Sequence, residues 1–172
     1  MNNKIAFLDI EVEKNDKIAD LGAIKDEQFI HTKSIDDFVY FVSDCDFLCG
    51  HNIISHDLKY LSYRLNSKEY KILDTLYLSP LLFPERPYHA LLKDDILQND
   101  QLNNPVNDSQ KAKELFFDEV NAFKLLNIRR QRIYKTLLKD TEQFRDFFSY
   151  IECDNSINLI KDIQEEFKKV EN

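Results

Sequence analysis

Asp9 and Glu11 close the apolar run that begins at Ile5, and their type and spacing point more directly to chemistry than any other residues of the chain. Side chains alternate across a strand, so both carboxylates project from the face shared by Ile5 and Phe7. Like charges held side by side and partly out of water are costly unless cations or donors meet them. The nearest lysines in sequence, Lys4 and Lys14, flank the run, which leaves a divalent metal ion as the simplest partner.

Two further acids stand at the starts of expected helices. In Gly50-His51-Asn52-Ile53-Ile54-Ser55-His56-Asp57, the stripe Leu58, Leu61, Leu65 begins beside Asp57. Further on, the stripe Ala112, Leu115, Phe116, Val120, Phe123 has Asp108 one turn ahead of it on the same face. Either acid alone reads first as a helix N-cap. Both together with the strand pair read as a metal site.

This set resembles the motifs of the DEDD (DnaQ-like) 3′-to-5′ exonucleases, a family of ribonuclease-H-like fold. Asp9 and Glu11 match its first motif; Gly50, His51, Asn52, Asp57 and Leu61 match the second; Asp108, Ala112, Leu115 and Phe116 match the third. Asp74-Thr75-Leu76 looks like the family's linking strand. The resemblance covers about residues 4–124 and implies an α/β fold with a central mixed β-sheet flanked by helices. It further implies two divalent ions, Mg2+ or Mn2+, about 3.5–4 Å apart on Asp9, Glu11, Asp57 and Asp108. The implied substrate is nucleic acid with a free 3′ end, single-stranded DNA being favoured. The implied setting is DNA repair, fused to or associated with a helicase.

The family's usual base is displaced. A histidine five residues before the last Asp, or a tyrosine four before, would be expected where Asn103 and Asn104 stand. His89 has the five-residue spacing to Asp94, but Gln98 and Gln101 interrupt the stripe that should follow. Asp108 is therefore the expected ligand, with Asp94 the alternative. His89, on a longer connecting loop, and His56, beside Asp57, are the candidate bases. Substrate contacts are assigned to Asn52, Tyr88 and Lys93; for Asn52 a loop brace, and for Tyr88 plain packing, are the competing readings.

The 172 residues, 43% hydrophobic, suit one domain over 1–172, with additional helices at about 126–170 beyond the family core. The three cysteines lack metal-site spacing and read as reduced thiols of a cytoplasmic protein. No apolar run is long enough for a membrane span. A net charge of −8 opposes contact with a polyphosphate, although two divalent ions bring four positive charges and reduce it to about −4. Arg129, Arg130, Arg132, Lys135 and Lys139 form a basic cluster that reads first as a solvated helix face and second as a track for a strand backbone.

Strands are expected at about 4–11, 18–24, 27–33, 46–50 and 70–76, and helices at about 34–43, 56–66, 108–124, 126–139, 140–151 and 155–170. All four prolines fall in 77–106, which reads as a long irregular loop with short helical pieces. The competing readings are a catalytically silent ribonuclease-H-like module that positions nucleic acid or a partner, and a scaffold whose acids are caps. The family's habit of occurring within larger helicases or polymerases makes the chain an expected piece of one.

Overall fold

The computed structural model describes residues 3–65, 68–91 and 104–168. Lys93 and Asp94, with Gln98, Gln101 and Asn103, lie outside the described residues.

Three strands open the chain as an antiparallel meander: β1 (Ile5–Val12), β2 (Ile18–Lys25) and β3 (Gln28–Thr32). The β2–β3 turn is tight, with Asp26 in the left-handed region at φ 51°, a conformation that Asp tolerates better than most residues. Helix α1 (Ile35–Val42) follows, its Ser34 cap accepting from Asp37 N at 3.2 Å. Strand β4 (Phe47–Gly50) pairs parallel with β1, helix α2 (Asp57–Leu65) intervenes, and β5 (Lys71–Asp74) pairs parallel with β4. The sheet is thus mixed, with strand order β3-β2-β1-β4-β5.

Alternation along β1 sends its side chains into two layers. Ala6, Leu8 and Ile10 join Phe38 and Val42 of α1 and Leu61 and Leu65 of α2. Phe7 points the other way, to a cluster built by α3 (Thr75–Leu82), α4 (Pro105–Leu125) and α6 (Glu142–Tyr150). The face that holds Asp9 and Glu11 is therefore the one that α4 covers. Helices thus flank the sheet on both sides, as the α/β reading expects.

Three differences from expectation have local causes. Helix α4 starts at Pro105, because Asn104 caps it by accepting from Val106 N at 2.9 Å and Pro105 loses no hydrogen bond at the first position. Asp108 is the fourth residue of that helix, so Asn104 takes the capping role. The strand expected to run to about residue 76 ends at Asp74, which starts α3 by accepting from Leu76 N at 3.0 Å; this helix is one of the short helical pieces expected in 77–106. Pro80 sits inside it, and in so short a helix its missing donor costs one bond. The basic cluster, finally, is no free track. Arg129 pairs with Glu165 at 2.8 Å and Arg130 with Glu166 at 2.7 Å, so these residues of α5 (Ile128–Leu138) fasten the chain's last described helix, α7 (Leu159–Phe167). Arg132 reaches Asp154 at 3.3 Å.

The outer edge of β5 is also covered. Ile72 N donates to Asp146 Oδ2 of α6 at 2.8 Å, which occupies a donor that an exposed edge would offer to another strand. Among the described residues no helix is long and apolar enough to cross a membrane.

Candidate metal centre

The centre begins with a missing side chain. Gly22 on β2 stands directly opposite Asp9 on β1. A Cβ there would lie 2.4 Å from Pro105 C and 2.5 Å from Val106 N. The absence of one lets the first turn of α4 sit on β2, where the Ser109 hydroxyl, donating to Pro105 O at 2.6 Å, also lies 3.2 Å from Gly22 O. Asp108, the neighbour of Ser109, is brought to the β1 carboxylates. One oxygen from each of Asp9, Glu11 and Asp108 lies within 4.8 Å of the others, and all three residues are half-buried. Oxygens on one Mg2+, Mn2+ or Ca2+ ion, each at about 2.0–2.6 Å from it, span at most about 5 Å, so the trio fits a single coordination sphere.

Charges line this face. Asp20 lies opposite Glu11 in the β1–β2 register, a like-charge pairing that is unfavourable by itself. His31 of β3 meets Asp20, Nε2 to Oδ2, at 2.6 Å. Lys111, one turn along α4, holds its Nζ 3.5 Å from Asp108 Oδ1.

Asp57 has a different station. The β1–β4 ladder runs from Ile5↔Phe47 to Phe7↔Cys49, so the Ile10 N–H lies beyond its end. Asp57 Oδ1 accepts that N–H at 3.0 Å, between Asp9 and Glu11 in the chain. Asp57 is fully buried, and burial raises its pKa above the usual carboxylate value. It adjoins the trio through the β1 backbone and is not one of the three mutually close carboxylates. His56 Nδ1 stands 3.7 Å from Asp57 Oδ2, and that carboxylate raises the pKa of the imidazole.

The loop between β4 and α2 hangs on Asp74, an anchor that sequence reasoning passed over. Asp74 accepts from Asn52 N at 2.9 Å and Ile54 N at 3.0 Å, in addition to capping α3. Asn52 adopts φ 67°, the left-handed region that Asn tolerates, so a bracing role is visible for it. His51 Nδ1 lies 2.9 Å from Thr75 Oγ1; burial lowers the pKa of the imidazole to about 4, and the charge of Asp108 opposes the fall. The cue in the sequence was an Asp-Thr pair at the end of a strand, which read only as strand.

The remaining assigned residues lie after α3. His89 Nδ1 is 2.9 Å from Ser79 Oγ, and Tyr88 is 82% exposed. Comparison with known proteins gives no match to a family model, a curated protein or a solved structure.

Proposed function

We propose that this chain is a metal-dependent 3′-to-5′ exonuclease of ribonuclease-H-like fold, acting on terminal phosphodiester bonds of nucleic acid, single-stranded DNA above RNA. The observation that carries the reading is the trio Asp9, Glu11 and Asp108, drawn from a strand and a helix into the span of one ion's ligands. The order of the three motifs supports it. So does the sheet, whose mixed pairing and helices on both faces agree with that fold.

Asp9, Glu11 and Asp108 would hold the first divalent ion, and Asp57 stands beside them as the candidate ligand for a second. Such ions supply positive charge to the scissile phosphate and make water a better nucleophile at neutral pH. The protein's part is to fix the carboxylates: Gly22 seats α4, and Asp57 pins the backbone between Asp9 and Glu11. His89 or His56 would take the water's proton, unless metal-bound water needs no protein base here. The three free cysteines agree with a cytoplasmic setting, and the helicase partnership belongs to the same proposal.

The test is a 5′-labelled single strand, DNA or RNA, incubated with Mg2+, Mn2+ or chelator. A ladder that shortens from the 3′ end, stops at a blocked 3′ terminus and vanishes with chelator is expected; internal cuts in a circular strand would refute the exonuclease assignment. Lys111 beside Asp108 favours a second reading, a silent nucleic-acid-binding module whose acids are neutralised by the protein itself. Strand binding without shortening under any metal would select it.

A further inference from the structure

Lys111 is a cation that the chain itself brings to the centre. Its Nζ stands 3.5 Å from Asp108 Oδ1, and the two side chains are only 28% and 21% exposed. An i,i+3 ion pair on an open helix surface is an ordinary contact of little weight. This pair differs because its acid belongs to the trio, whose ligand oxygens from Asp9, Glu11 and Asp108 lie within 4.8 Å of one another. Lys113, two residues on, shows the ordinary arrangement: its Nζ donates to Asp26 O of the β2–β3 turn at 3.0 Å.

The backbone cannot relieve a crowding of charge here. Gly22 seats the first turn of α4 against β2, which fixes the main chain that carries Asp108. Adjustment therefore falls to the long lysine side chain. Coulomb energy scales as charge product over distance, and the ammonium on Asp108 gains a product of one at 3.5 Å. A divalent ion on the same carboxylate would stand about 5 Å from that ammonium and repel it with a charge product of two. Two over about 5 Å exceeds one over 3.5 Å, so the ion and the ammonium do not share Asp108 at a gain.

We propose that Lys111 is the resident counter-ion of the metal-free centre, and that a divalent ion binds by exchange, turning the Lys111 side chain away from Asp108. The proposal rests on the metal-centre reading and deepens it. Lys111 keeps the acids compensated when no ion is bound, and it makes the centre bind metal less tightly than three bare carboxylates would. A monovalent ion brings no charge advantage over a tethered ammonium, whereas a divalent ion does, so the exchange also selects for divalent ions.

The experiment uses the full chain, calorimetric titration with Mn2+, and lysine acetylation read by mass spectrometry with and without Mg2+. Lys111→Met, which keeps the apolar stem and removes the charge, should tighten Mn2+ binding roughly 3–30-fold. Lys111→Arg, which keeps the charge, should stay within about 3-fold of the parent. Lys113→Met removes the same charge from the same helix and should change Mn2+ affinity by less than about 2-fold. In metal-free buffer Lys111→Met should melt below the parent, and saturating Mn2+ should shrink the deficit. In the parent protein Mg2+ should raise the acetylation of Lys111 and leave that of Lys113 unchanged.

Equal Mn2+ affinities for the parent and Lys111→Met, or equal gains from Lys111→Met and Lys113→Met, overturn the exchange and leave the metal centre standing. Acetylation of Lys111 that Mg2+ does not change does the same. Saturable binding by Lys111→Met with none by the parent overturns the exchange and the exonuclease reading together, because the lysine then fills the centre permanently. No binding by either protein overturns the metal centre, and this inference with it.

Discussion

Gly22→Ala should damage the centre without touching a ligand. Neither glycine of the chain has positive φ, so alanine at position 22 meets no backbone penalty and the effect is steric. The new Cβ would stand 2.4 Å from Pro105 C and 2.5 Å from Val106 N, against about 3.5–4.0 Å for an ordinary contact. Main-chain atoms cannot rotate away, so the first turn of α4 must retreat by about 1 Å. Overpacking of this kind costs about 1–3 kcal/mol, which lowers the melting temperature of a chain this long by roughly 3–10 °C. Asp108 rides on that turn, and a ligand displaced by about 1 Å weakens the metal-induced rise in melting temperature and lowers turnover by about 10²-fold. The assay is a thermal melt with and without millimolar Mn2+, followed by the labelled-strand assay. Gly50→Ala is the comparison, since its Cβ would meet Leu8 O and Ile53 Cβ at 3.0 Å and none of the Pro105 and Val106 main-chain atoms that crowd position 22. A Gly22→Ala protein with parental melting temperature and parental Mn2+ response would refute the seating of α4 on β2.

Two other perturbations follow from buried carboxyls. Asp57→Ala leaves the Ile10 N–H without its acceptor and should cost about 1–3 kcal/mol in urea denaturation, whereas Asp57→Asn retains an acceptor and should cost less; equal effects would mean that the strand pin contributes nothing. Glu119 on α4 is fully buried, neither carboxyl oxygen has a hydrogen-bond partner, and burial pushes its pKa from 4.5 to about 9. A folded value above the unfolded one means stability that is complete below about 4.5 and lost as pH rises through about 9. Glu119→Gln, which cannot ionise, should remove that slope and gain on the parent steadily between pH 5 and 9; parallel stability curves would contradict the burial of an uncompensated acid.

Much of this architecture could be read from residue order. The β1 alternation placed Asp9 and Glu11 on one face, and the α4 stripe placed Asp108 inward, because both periodicities report which side is buried. What escaped depends on partners distant in sequence. Gly22 acts through Pro105, Asp57 through Ile10, and the arginines of α5 through acids on α7, and no local pattern announces such pairs. One cue was available: of the chain's two glycines, Gly22 falls in the interior of a strand, which marks a close backbone approach. The start of helix α3 escaped for a different cause, since Asp74-Thr75-Leu76 read as strand while the Asp74 side chain caps the helix.

Titration calorimetry of Mn2+ into the wild type and into Asp108→Asn tests the central claim most directly. Asp108 shares its half-buried site with Asp9 and Glu11, so the wild type should bind Mn2+ with saturable heat and the variant should lose most of that affinity while melting no lower in metal-free buffer, like-charge repulsion having been relieved. Equal Mn2+ isotherms for the two proteins, or no saturable binding by the wild type at millimolar Mn2+, would contradict a metal centre at these carboxylates.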